Sequence, residues 1–64
     1  MEFRIDAMTC GGCARSVTRT IQKLDPDAQV EIDVESRRVV VRSQASPEAL
    51  TSALDTAGFP AAAA

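Results

Sequence analysis

Residues 2–7 alternate, with Phe3, Ile5 and Ala7 on one side and Glu2, Arg4 and Asp6 on the other, the two-residue period of a strand buried on one face. After the Gly11-Gly12 pair the period lengthens. Ala14, Val17, Ile21 and Leu24 recur every three or four residues while Arg15, Ser16, Arg19, Gln22 and Lys23 fill the other faces, which predicts an amphipathic helix. Pro26 disfavours helical geometry in Asp25 before it, so the helix ends there. Ala28, Val30, Ile32 and Val34 then alternate with Gln29, Glu31, Asp33 and Glu35, and a polar turn around Ser36 and Arg37 leads into a valine-rich run over 38–42; together these predict a hairpin. Ser46 as N-cap, Pro47 at the first helical position and Glu48 near the positive end of the dipole open a second helix. Its buried stripe is Leu50, Ala53, Leu54 and Ala57, and Gly58 suits the C-terminal cap.

Only residues 59–64 remain for a last strand. Alanine has low strand propensity and Pro60 cannot donate to a ladder, so the segment is either a short edge strand or a frayed tail, with 61–64 read as disorder. The order predicts an α+β fold, a ferredoxin-like βαββαβ sandwich in which two helices cover one face of a four-stranded antiparallel sheet. With 64 residues and no internal repeat, the chain is expected to be one domain over 1–64 with one small core and little room for a cleft.

Seven basic and nine acidic residues leave a formal charge of −2, which gives no general attraction to nucleic acid or to an anionic membrane. Phe3 and Phe59 are the only aromatics, so there is no platform on which bases would stack. The chain opens Met1-Glu2-Phe3-Arg4, without the basic and apolar regions of a signal peptide, and no segment approaches transmembrane length. A cytoplasmic location without membrane insertion is expected. Cys10 and Cys13 enclose two residues, too short a loop for a disulfide to stabilise much. In a reducing compartment such a pair is more often a metal or redox site.

The segment 8–13, Met-Thr-Cys-Gly-Gly-Cys, falls between the first strand and the first helix, where unpaired N–H groups and the helix dipole favour thiolates, the form that binds metal. Gly11 and Gly12 are expected to let the loop bend both sulfurs toward one ion. With two cysteines and no histidine, one chain cannot supply the four ligands of structural zinc. Two thiolates suit copper(I) and leave room for an incoming sulfur from another protein. Arg15, Arg19 and Lys23 form one line on the helix, either a docking stripe for an acidic partner or an ordinary solvated face. Met8 and Phe59 read first as core residues. A redox dithiol is the competing reading of the cysteines, but a thioredoxin-type domain needs more strands than this length allows.

The Met8-to-Cys13 motif, Ala14 with Val17 and Ile21, the valine-rich hairpin and Ala57-Gly58-Phe59 resemble the heavy-metal-associated domain family, which includes bacterial copper chaperones and N-terminal domains of copper-transporting P-type ATPases. The resemblance covers nearly the whole chain. It implies that Cys10 and Cys13 are the ligands, that Met8 is a buried prop beneath the loop, that Phe59 packs beside the site, and that docking uses charge complementarity. Thr9 stands where zinc- and cadmium-type relatives tend to carry aspartate, which leans toward copper or mercury. Ala7 replaces a common glycine, and Phe59 a tyrosine frequent in free bacterial chaperones; phenylalanine there is familiar from ATPase-linked domains. The expected function is that of a non-enzymatic copper(I) chaperone, monomeric when apo, that delivers to the metal-binding domain of a copper-transporting P-type ATPase. The alternatives are a metal-bridged dimer or buffering module, a domain for mercury or another soft metal, and a dithiol oxidoreductase.

Overall fold

Strand β1 (Glu2–Arg4) is followed by helix α1 (Gly11–Leu24), strands β2 (Gln29–Asp33) and β3 (Arg38–Arg42), helix α2 (Pro47–Thr56) and strand β4 (Ala62–Ala63), in a computed structural model that describes residues 1–9 and 11–63. The strands form one antiparallel sheet in the order β2-β3-β1-β4, the ferredoxin-like βαββαβ arrangement. Phe3, Ile5, Val39 and Val41 from the sheet side meet Val17, Ile21, Leu50 and Leu54 from the helices, each at most 3% exposed. Each such burial contributes about 1.5–3 kcal/mol. No polar or charged residue is buried among those described, so this core has no desolvated polar group to satisfy.

The ends of α2 are closed by local chemistry that the sequence announced. Ser46 is the N-cap, its hydroxyl oxygen accepting from Ala49 N at 3.1 Å, with Pro47 and Glu48 in the first turn. At the other end Gly58 N–H donates to Asp55 O (3.0 Å) and Phe59 N–H to Leu54 O (2.8 Å), the paired bonds of a Schellman cap. Gly58 has φ +92°, a conformation that a Cβ penalises. Gly58→Ala is therefore expected to cost about 1–2 kcal/mol, read as a lower urea midpoint with unchanged slope.

Four expectations are corrected. First, β1 stops at Arg4 rather than reaching residue 7, because the chain turns through Asp6 and Ala7 and Met8 N–H bonds to Ile5 O at 3.1 Å. Ala7 is consequently exposed rather than on the buried face. In the same turn Arg4 Nε donates to Asp6 Oδ1 at 2.9 Å, and this bond and the guanidinium charge hold the Asp6 carboxyl below its ordinary range. Second, Leu24 is 44% exposed; the α2 side chains around it, among them Ala49, Ser52 and Ala53, are too short to cover it. Third, Ala57 is the exposed C-cap of α2 rather than part of its buried stripe. Fourth, the tail is not disordered at 61–63: Ala62 pairs with Arg4 and Ala63 with Phe3, and Ala61 packs against the core. The open edge of β1 offers ladder bonds that outweigh alanine's weak strand propensity. Ala64 lies outside the described residues.

Asp25 ties the end of α1 to the connection between β3 and α2. Its carboxylate accepts from Ser43 Oγ (2.6 Å), Gln44 N (3.2 Å) and Asp27 N (3.1 Å). The Ser43 hydroxyl first, then the Asp27 N–H, lower its pKa. A depressed folded-state pKa stabilises above the unfolded value of about 3.9 and loses that contribution as pH falls through the folded value. Urea melts at about pH 7 and about pH 3 are expected to show a smaller acid-induced loss in Asp25→Asn than in the parent.

Candidate metal centre

One end of the sheet collects every connection relevant to the site. Ile5 N–H donates to Arg37 O at 3.0 Å, which places the β2–β3 turn against the exit of β1, and α1 begins at this end. The segment after α2 returns here too, since β4 pairs Ala62 with Arg4. The turn from Ile5 to Met8 carries the Met8 side chain inward, and Met8 is fully buried. Cys13, Ala14 and Phe59 are partly buried and border the same hydrophobic cluster. Thr9, Gly11 and Gly12 are exposed. Cys10, the other expected ligand, lies outside the described residues.

Helix α1 starts at Gly11, earlier than the side-chain periodicity suggested, so Gly11, Gly12 and Cys13 belong to its first turn and not to a loop. Cys13 is thereby carried on a hydrogen-bonded element. That turn contains no acidic residue, and its unpaired N–H groups and the positive dipole end favour a negative sulfur. Lys23 sits in the last turn, where a cation complements the opposite pole. A Cβ built at Gly11 would meet nothing within 4 Å, and its φ lies outside the left-handed region. Position 11 thus offers open approach, rather than the special backbone freedom expected of it.

No group of three or more His, Cys, Asp or Glu side chains converges among the described residues. A hard cation wanting six or more oxygens, or a zinc ion wanting four ligands, therefore finds no complete set there. The sequence also carries two cysteines, whose sulfurs would suit a soft ion of low coordination number. Arg15, Arg19 and Lys23 are all exposed along α1. Lys23 is ten positions beyond Cys13, about 15 Å along the helix, so Arg15 is at the site's edge and Lys23 at the far pole. The sequence reading missed Arg37, which adopts φ 60° beside the exit of β1 and helps lower the Asp6 pKa. No local pattern marks it, because its place depends on pairing between distant strands.

Known proteins place this arrangement. The chain is 39% identical over 57 residues to the copper transport protein ATOX1 of Rattus norvegicus, covering 89% of this chain and 81% of that protein. It is 34% identical over 59 residues to the periplasmic component of the mercuric transport protein of Pseudomonas fluorescens, covering 88% and 65%. The crystal structure of a gold binding protein superposes with a TM-score of 0.94 at 49% identity, covering 95% of this chain and 94% of that one. The three namesake metals are all soft and thiophilic. The sequence profile of the Heavy-metal-associated domain matches residues 2–60, and the chain belongs to that family.

Proposed function

We propose that the protein is a cytoplasmic copper(I) chaperone that holds one ion between the thiolates of Cys10 and Cys13 and passes it to the metal-binding domain of a copper-transporting P-type ATPase. The observation that carries this reading is Cys13 in an acid-free first turn of α1, at an end of the fold where Gly11 leaves the approach open. Kinship with a copper transport protein over most of its length supports the choice of metal. Among the described residues no helix is long and apolar enough to cross a membrane.

Transfer proceeds by ligand exchange. An acceptor thiolate bonds to the copper, giving a three-sulfur intermediate, and one donor thiolate leaves. A second acceptor sulfur then displaces the other. Copper stays in the +1 state throughout, and the ion is never free. The chain's own groups supply two thiolates and an exposed approach; Met8 props the segment from the core, and Phe59, bordering that core, limits water on one side. Nothing is oxidised or cleaved, so the protein acts as a carrier rather than an enzyme, a monomer when apo.

The arginine and lysine line on α1 docks an acidic partner surface. Replacing Arg15, Arg19 and Lys23 by glutamate is expected to slow transfer roughly tenfold or more without weakening the site, and salt should slow the parent in the same way. An unchanged rate would remove the docking role. The metal assignment is tested by competitive titration of the reduced protein with copper(I), zinc, mercury(II) and gold(I), with X-ray absorption to count sulfurs. Copper(I) bound by two sulfurs, in a monomer at low protein concentration, is the expected result. A second reading, a carrier of another soft ion, is favoured by the likeness to the gold binding protein, and a higher affinity for gold or mercury in that titration would establish it.

A further inference from the structure

Strand β2 borders the sheet, pairing with β3 and with no other strand among the described residues. The ladder itself tells which of its backbone groups face outward. Val41 exchanges bonds with Met1 on the β1 side, Val41 N–H to Met1 O at 2.7 Å and the Met1 amino group to Val41 O at 3.0 Å, so its polar groups turn away from β2. Bonded and non-bonded pairs alternate along an antiparallel ladder. Val30 opposite Val41, and Ile32 opposite Val39, are therefore the non-bonded pairs. The N–H and C=O of Val30 and Ile32 consequently point out of the sheet. Their half-buried side chains and those of Ala14, Arg15, Thr18 and Arg19 line a groove of ≈ 510 Å³ along this edge.

Along this edge the charges of α1 and β2 divide by face. On the helix side stand exposed Arg15 and Arg19; on the other face β2 presents exposed Glu31 and Asp33, with Arg38 and Arg42 of β3 one strand further in, opposite Asp33 and Gln29. Among the described residues the ion pairs are Arg4–Asp6 and Arg38–Glu2, so Arg15, Arg19, Glu31 and Asp33 are in none. Glu31 is directly opposite Val40, with Arg38 and Arg42 only diagonal to it.

We propose that the free edge of β2 receives an extended segment of another protein as an added strand, with acidic side chains toward α1 and basic side chains on the opposite face. Residues of that segment opposite Val30 and Ile32 lay aliphatic stems over the groove and carboxylates against Arg15 and Arg19. The residue between them carries a cation to Glu31. Backbone bonds supply the attraction, and the alternation supplies the register, since a slip of one residue sets acid beside Glu31 and base beside arginine. A second copy of β2 is a poor occupant, because antiparallel self-pairing centred on Glu31 opposes like charges. The proposal rests on the docking role given above to Arg15 and Arg19, and adds the strand edge to it.

The test uses the reduced, metal-free full chain, isotope-labelled for NMR, and a synthetic peptide of alternating glutamate and lysine. A peptide of the same composition with its glutamates and lysines in separate blocks is the control. With nine-tenths of sites filled, amide exchange at Val30 and Ile32 is expected to slow about tenfold, and the control to leave it unchanged. Unchanged exchange with the alternating peptide, or equal slowing by the control, overturns the proposal. Ile32→Pro removes an outward N–H without breaking a ladder bond and is expected to abolish the slowing at Val30 with the sheet intact. Should that variant lose its folded signal, Arg15→Glu with Arg19→Glu takes its place, with persistence of the peptide effect as the overturning result. If the peptide has no effect while the triple glutamate variant still slows metal transfer, the strand edge is discarded and the docking line stands.

Discussion

Replacing Cys13 or Cys10 by serine is expected to lower copper(I) affinity by roughly a hundred- to a thousandfold or more while the far-UV helical signal persists. The magnitude follows from dividing the binding energy of a four-ligand structural metal site, about 10–16 kcal/mol, among its ligands, which gives about 2.5–4 kcal/mol per donor. A two-sulfur site has no spare donor, and a serine hydroxyl is hard and remains protonated where a thiol does not. The fold should tolerate the change because the core proper is built from Phe3, Ile5, Val17, Ile21, Val39, Val41, Leu50 and Leu54, and Cys13 only borders it. Competition against a mild copper(I) chelator reads the affinity, and circular dichroism reads the fold. A serine variant that still captures copper would end the two-thiolate reading. Loss of the folded signal would mean that Cys13 contributes more to the core than its half-exposed position indicates.

Met8→Ala carries the largest expected effect on stability. Met8 is fully buried, and truncating such a side chain leaves a cavity that costs about 2–5 kcal/mol. A domain of 64 residues has only about 3–10 kcal/mol in total, so the variant is expected to be partly unfolded at ambient temperature. Met8→Leu keeps the volume and should cost less than about 1.5 kcal/mol. That second variant separates the two roles of a methionine beside two cysteines. A prop predicts unchanged copper affinity in Met8→Leu. A thioether ligand predicts a loss, since leucine offers no donor. Thermal melts and the same chelator competition measure both quantities.

Sequence and structure agree where the determinant is local. Ser46, Pro47 and Glu48 open α2, and Gly58 closes it, as their capping chemistry requires. The alternation over 28–34 and the valines of 38–42 became the β2–β3 hairpin because a period of two leaves only one face to bury. The disagreements have a common origin in contacts that periodicity cannot see. Leu24 obeys the helical period yet is exposed, because the α2 residues facing it are short. Ala62 and Ala63 defy their propensity because β1 has an open edge beside them. Ala7 continues the strand alternation in sequence, but the chain has already turned, with Met8 N–H bonded to Ile5 O.

The candidate site divides along the same line. Two cysteines separated by two residues, with no histidine anywhere in the chain, made the expected donor chemistry legible, because no folding can add a ligand type that the sequence lacks. The order of apolar periods likewise determined the βαββαβ arrangement, since each period admits one way of burying its face. Tertiary structure alone decided that Cys13 rides in the first turn of α1, that Arg37 stands by the exit of β1, and that Val30 and Ile32 present a free edge beside two arginines. Each of these depends on how strands far apart in the chain pair, and pairing is settled by the packing of the whole core rather than by any residue's neighbours in sequence.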